Sequence, residues 1–216
     1  MACSLAVTLL RHSITDYNEQ KRYLGWTDLP INTRGQHLLS GLKNKYRYTP
    51  GDVIYSSDLT RCVTTAETLY PNVPIIKDKS LREINFGDWE GKTYEEIKDE
   101  PLYRRWLDDL NNTIPPNGEA FLSFQTRVIN SWNKIINDAI EQKWEHIIVV
   151  THGGPIRFIL SQMTSENKSF WEWNIEYGQG YILTTEIERL RRGEQWNLLQ
   201  VAPFMANETG CIQITK

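Results

Sequence analysis

Hydrophobic positions along the chain fall into two kinds of run. Short continuous apolar runs rich in β-branched residues predict buried strands, and longer stretches with apolar residues three and four apart predict amphipathic helices. Strands are expected at Val7-Thr8-Leu9-Leu10, at Val53-Ile54-Tyr55-Ser56-Ser57, at Pro74-Ile75-Ile76-Lys77 and at Ile147-Ile148-Val149-Val150. The four consecutive β-branched aliphatics of the last run fit a strand covered on both faces. The best amphipathic helix covers 119–142, where Phe121, Phe124, Val128, Trp132, Ile135, Ile136 and Ala139 keep helical period. Further helices are expected from an Asn32 or Thr33 cap toward 46, from an Asp58 cap through Leu69, and from the Thr93/Glu96 capping box. Two more cover 102–110 and the stretch from Gly153-Gly154-Pro155 through Met163. Near the C-terminus, 181–190 and 196–202 alternate, predicting two strands joined as a hairpin across Arg192-Gly193-Glu194, with Pro203 ending the second.

Strands alternating with helices predict an α/β fold: a three-layer α/β/α sandwich whose central sheet is mostly parallel, with an antiparallel edge strand. At 216 residues and 40% hydrophobic, with no repeat, low-complexity segment or linker, the chain reads as one domain over 1–216.

Charge narrows the partners. A formal net charge of -3 gives no basic surplus, so neither nucleic acid nor a membrane surface is an expected partner. No apolar run approaches the ~20 residues of a spanning helix, and no leader pattern opens the chain, so a soluble, cytoplasmic protein is expected. Cys3, Cys62 and Cys211 are odd in number, scattered and in no C-x-x-C pair, which argues for reduced thiols rather than disulfides or zinc. Neither an HExxH motif nor an i,i+4 pair occurs among His12, His37, His146 and His152, and no metal or cofactor is expected.

Candidate chemistry gathers at strand ends. The first strand runs into Arg11-His12, followed by Ser13, Thr15 and Asn18; the 147–150 strand runs into Thr151-His152-Gly153-Gly154. Two histidines at the C-terminal tips of strands can face one pocket. A helix starting after the glycine turn would point free N–H groups there, favouring an anion. Arg61, in the first turn of the helix after Ser56-Ser57-Asp58, can reach over the same tips, although alone it reads as a surface arginine. Glu83 lies in a loop with apolar and aromatic neighbours, where desolvation would raise its pKa toward that of a general acid; the alternative is an ordinary loop salt bridge.

Together these motifs resemble the histidine phosphatase superfamily, the phosphoglycerate-mutase-like fold. The resemblance runs over nearly the whole chain, through Leu10-Arg11-His12, Gly25-Trp26-Thr27-Asp28, Ser56-Ser57-Asp58-Leu59-x-Arg61-x-x-x-Thr65-Ala66, Leu81-Arg82-Glu83-x-x-Phe86-Gly87-x-x-Glu90-Gly91 and Thr151-His152-Gly153-Gly154. It implies hydrolysis of a small-molecule phosphate monoester by a monomer or homodimer. His12 would be the nucleophile that becomes phosphohistidine. Arg11, Arg61 and His152 would surround the phosphate, Thr15, Asn18 and the Gly25 backbone would complete its cradle, and Glu83 would be general acid and then base.

Two positions depart from the family pattern, Ser13 and Ala120, where glycine and serine are usual. The acid loop also bears on the reaction. Mutases of the family follow this glutamate with Arg-His-Tyr and carry a longer insertion, whereas Glu83 precedes Ile84-Asn85-Phe86-Gly87, which is similar to the small bacterial phosphatases, α-ribazole phosphatases among them. The alternatives are a cofactor-dependent phosphoglycerate mutase and a non-catalytic relative that binds phosphorylated ligands. The latter would have lost the nucleophile or the acid, and both are present.

Overall fold

The computed structural model describes residues 4–166, 168–196 and 198–205. Its elements follow in chain order. The first half holds β1 (Ser4–Arg11), α1 (Asp16–Glu19), α2 (Thr33–Lys45), β2 (Tyr46–Arg47), β3 (Val53–Ser56), α3 (Thr60–Leu69), β4 (Ile75–Lys77), α4 (Tyr94–Ile97) and α5 (Pro101–Asp108). The second half holds α6 (Phe121–Gln142), β5 (His146–Thr151), α7 (Gly153–Met163), β6 (Gly180–Glu186), α8 (Ile187–Arg191), β7 (Leu198–Ala202) and β8 (Phe204–Met205).

Alternation along the strands builds the layers. Leu5, Val7 and Leu9 of β1, with Tyr55, Ile147 and Val149, meet Phe124, Val128 and Trp132 of α6 and Ile156 and Ile159 of α7. Ala6 and Leu10, with Ile54, Ile148 and Val150, meet Leu39 of α2 and Cys62, Ala66 and Leu69 of α3. One sheet therefore separates two cores, as a period of two requires. Burying each aliphatic side chain of β5 contributes roughly 1.5–3 kcal/mol, and Ile147 to Val150 are all at 0% exposure.

The sheet order is β4-β3-β5-β1-β6-β7. The first four strands are mutually parallel, and β6 runs antiparallel to β1 and to β7. The expected architecture, a mostly parallel sheet with an antiparallel edge between helical layers, is what the chain adopts. A third cluster of Trp89, Ile97, Tyr103 and Trp106 lies under α4 and α5, beside the loop that carries Glu83.

Two local expectations need correction. The stretch 181–190 is not one strand: β6 stops at Glu186 and α8 takes over, so β6 and β7 pair across a helix rather than a tight hairpin. Ile187 and Leu190, three apart, pack together against the core, and Arg191 pairs with Glu188 at helical spacing. Asp58 does not cap α3. Its carboxylate accepts two hydrogen bonds from Arg82, both 2.6 Å, and Asp28 caps from a distant loop, accepting from Thr60 N and Thr60 Oγ1 at 2.8 Å each. Cys62 is a buried free thiol, whereas Cys3 and Cys211 lie outside the described residues.

Candidate active site

Three adjacent strands end side by side, and a polar residue follows each: His12 after β1, His152 after β5 and Ser57 after β3. His12 N donates to Thr151 O and Ser57 N to Val150 O, each at 2.9 Å, so the tips form one floor. The carboxyl ends of parallel strands are where such sheets bind ligands.

His12 is 3% exposed, and its Nδ1 lies 2.6 Å from Ser13 O. A carbonyl only accepts, so Nδ1 carries the proton and Nε2 keeps its lone pair. Burial first, then the charges of Arg61 and Arg11, hold its pKa well below 6.5, leaving the ring neutral at pH 7. His152 stands 5.0 Å away, ring centre to ring centre. Its Nδ1 accepts from Arg61 Nε at 3.3 Å, which places the proton on Nε2, 3.0 Å from Ser57 Oγ. Burial, then Arg61 and His12, depress this ring as well. Cys62 Sγ packs 3.5 Å from His152 Nε2, and burial pushes the thiol up to about 12, which makes it filler rather than a nucleophile.

Backbone carbonyls hold the two arginines. Arg61 is fully buried and donates to Thr27 O at 2.8 Å and Gly25 O at 2.6 Å. Burial lowers its pKa, but a guanidinium stays protonated throughout the working range. Residue 25 must be glycine, because a Cβ there would stand 2.3 Å from Ile84 O. Arg11 donates Nη1 to Ile175 O at 2.8 Å and lies 3.8 Å from the centre of the Tyr177 ring. Its buried Nε has no hydrogen-bond partner among the described residues. Leaving such a donor unpaired costs about 1–3 kcal/mol, so an anion that brings an acceptor is favoured there.

Thr15 and Asn18 act on each other first. Thr15 Oγ1 accepts from Asn18 N at 3.3 Å and donates to Asn18 Oδ1 at 3.0 Å, a box that orients the Asn18 amide. Asn18 shares a cleft with Tyr177, whose ring lies 6.0 Å from that of His12. Ser13, in ordinary backbone because the non-glycine residues of positive φ among those described are Lys21, Asn117 and Lys143, donates Oγ to Gly35 O at 2.9 Å. Ala120 leaves α6 without a side-chain cap.

Glu83 reaches over the first turn of α7. Its Oε2 accepts from Gly154 N at 2.9 Å and its Oε1 from Ile84 N at 3.0 Å. Two donors clamp its own carbonyl, Trp26 Nε1 at 2.9 Å and Arg127 Nη2 at 2.8 Å. Arg127 is in turn held by Glu119 through contacts of 2.6 and 2.8 Å. Glu90 is fully occupied as a bracket, accepting from Trp26 N at 2.7 Å, Thr27 N at 2.6 Å, Thr27 Oγ1 and Phe86 N. Asp88 faces Asn117 instead.

The structure thus brings His12, His152, Arg11, Arg61 and Glu83 to one end of the sheet, while Gly25 acts through Arg61 and Thr15 through Asn18. Reading the sequence missed Arg157, Trp26, Arg127 and Tyr177. Arg157 was the most accessible of these: it sits three residues after Gly154, on the same face of α7, and its charge acts on the Glu83 environment. Among the described residues there is no group of three or more metal-ligating side chains.

The profile of the Histidine phosphatase superfamily (branch 1) matches residues 7–198. The chain belongs to that superfamily. It is 29% identical over 175 residues to the adenosylcobalamin/alpha-ribazole phosphatase of Salmonella typhimurium, a match covering 79% of this chain and 85% of the relative. Phosphoserine phosphatase 1 of Hydrogenobacter thermophilus is 27% identical, covering 84% of this chain and 87% of that one. Among solved structures, the alpha-ribazole phosphatase of Shigella flexneri superimposes with a TM-score of 0.71 at 26% identity, covering 83% and 90% of the two chains.

Proposed function

We infer that the protein hydrolyses a small phosphate monoester through a phosphohistidine on His12, in the manner of its phosphatase-named relatives. The observation that carries this reading is the tautomer of His12: Nδ1–H is committed to Ser13 O, so Nε2 keeps a neutral lone pair on a ring near enough to Arg61 and Arg11 to feel their charge. In the first step Nε2 bonds to phosphorus, the bond to the ester oxygen breaks, and Glu83 gives that oxygen a proton. In the second, water bonds to phosphorus, the Nε2 bond breaks, and Glu83 takes the water's proton. Arg11 and Arg61 stabilise the charge spreading over the equatorial oxygens in both steps, and the unpaired Arg11 Nε is one donor available for it.

The occupied state of Glu90 and the surface pairing of Asp88 with Asn117 favour Glu83 over its neighbours as the acid. The phosphatase names among the relatives make α-ribazole 5'-phosphate a first substrate to try. The test is His12→Ala with p-nitrophenyl phosphate: turnover should vanish while the protein stays folded, and the wild type should yield acid-labile, base-stable label after a quench. A variant that keeps a tenth of the activity overturns the reading.

A further inference from the structure

Against Glu83, with neither His12 nor His152 in its lining, is a cavity of about 210 Å³, and nine of its thirteen lining residues are apolar, so it is built for something other than a second phosphate. Its volume corresponds to about seven waters at about 30 Å³ each. The walls come from three separate places. Ile84 and Phe86 belong to the acid loop, Trp106 and Leu107 to α5, and Phe170 and Trp171 to the 168–173 segment. Glu83, Gly154 and Arg157 line it as well, which makes the cavity continuous with the reaction centre.

Its mouth is apolar too. Trp171 is 64% exposed and Leu107 51% exposed, although each could have been polar at no cost to the core. Large apolar side chains left in water around a concave apolar site mark a surface that receives a ligand. Direction follows from chemistry. The oxygen that leaves must lie where Glu83 can protonate it, opposite His12 Nε2 in an in-line displacement, so the carbon skeleton attached to it is carried to Glu83, and the cavity that Glu83 lines is the space beside it.

We propose that the cavity is the leaving-group subsite and that it takes a flat, apolar ring carried by the alcohol half of the monoester, with Trp106, Leu107, Phe170 and Trp171 as the residues that set this preference. The proposal rests on the reading of His12 and Glu83 given above and adds the class of substrate. Aromatic walls stack on a ring and gain little from a short polyol or an amino acid. A ring therefore selects itself through binding energy that a small hydrophilic ester cannot recover. The guanidinium of Arg157, whose Nε is already committed to Trp173 O at 3.1 Å, lies where the cavity meets the phosphate cradle.

Benzyl phosphate and ethyl phosphate separate this proposal from its parent, because their alcohols are of similar acidity and need the Glu83 proton to a similar degree. The expected result is a kcat/KM at least ~10-fold higher for benzyl phosphate, the scale that apolar pocket contacts reach. Trp171→Ala and Leu107→Ala, both at exposed positions that do not hold the fold, should each shrink the benzyl-to-ethyl ratio threefold or more. Leu122→Ala, equally exposed at 69% and outside the cavity, should leave the ratio unchanged. Hydrolysis of both esters with a ratio near one overturns the subsite while leaving the phosphatase reading intact. A ratio that survives both rim substitutions assigns the preference elsewhere and overturns it as well. Failure to hydrolyse either ester, with no label on His12, overturns the parent reading and the subsite with it.

Discussion

Glu83 and Gly154 fit each other with no room to spare. The Gly154 amide donates to Glu83 Oε2 at 2.9 Å, and a Cβ on residue 154 would stand 2.0 Å from Oε1. A methyl group there must displace the carboxylate, and a misplacement of about 1 Å in a catalytic group can cost on the order of 10²-fold. Gly154→Ala should therefore depress turnover of alkyl phosphates by 10-fold or more while affinity for inorganic phosphate, read by competitive inhibition, changes little. Equal losses in both would mean that the helix start, rather than the carboxylate, has been disturbed.

Removing the proton itself makes a different prediction. Glu83→Gln should slow esters with poor leaving groups by ~10²–10⁴-fold more than p-nitrophenyl phosphate, whose leaving group needs little protonation. The ratio of the two losses is the readout. Equal losses without a burst of p-nitrophenol would point away from a proton donor; a burst would show that hydrolysis of phosphohistidine has become limiting for both.

The Arg127–Glu119 pair supports the acid loop, and both side chains are largely buried, at 17% and 11% exposure. Arg127 also donates to Ser80 O, Arg82 O and Glu83 O at 2.9, 2.7 and 2.8 Å. Arg127→Met leaves the Glu119 carboxylate without its cation and takes a donor from the carbonyls of Ser80, Arg82 and Glu83, of which Glu83 O keeps Trp26 Nε1, a loss of about 3 kcal/mol. In a chain of this length that is a fall in Tm of roughly 6–12 °C. Adding Glu119→Leu should restore part of it, since the stranded charge goes too. Differential scanning calorimetry of the two single variants and the double variant gives the coupling.

Acid should weaken the fold before the carboxylates titrate. His12, His146 and His152 all sit below the ordinary 6.5, burial being the first cause for each. His146 lies 2.8 Å from Pro50 O through Nδ1 and 2.7 Å from Thr8 Oγ1 through Nε2, a pairing suited to the neutral ring. The unfolded chain takes up protons near pH 6.5 that the folded chain refuses, so stability is present above that value and is lost as pH falls below it. Tm should be flat from pH 7 to 8 and decline between about 6.5 and 5, and His146→Gln should make that decline shallower. A Tm unchanged down to pH 5 would show that these rings protonate without cost. By the same sign, the acid limb of kcat/KM should lie below 6.5, because His12, the proposed nucleophile, stays neutral there.

What could be read from the sequence was local or periodic. The β-branched run at 147–150, the period of 121–139 and the polar residues at strand ends depend only on their neighbours, and the structure places them as expected. The misreading at 187–191 came from weighing alternation over an i,i+3 apolar pair in a short segment, where both patterns fit. Asp28 as the cap of α3, and Trp26 and Arg127 as the clamp on Glu83, join residues 32, 57 and 44 positions apart and leave no periodic trace. Tyr177 under Arg11 is of the same kind.

Glu90 gives the molecule a division between frame and wall. By gripping Trp26 and Thr27 on one side and Phe86 on the other, it ties the loop whose carbonyls seat Arg61 to the loop that presents Glu83. Arg61, the proposed phosphate-binding cation, and Glu83, the proposed proton carrier, are thereby bolted to one bracket. The Trp106, Phe170 and Trp171 rings hang outside that bracket, on α5 and the 168–173 segment, so a lineage could exchange one guest for another there while the distance between the two charges stays as it was.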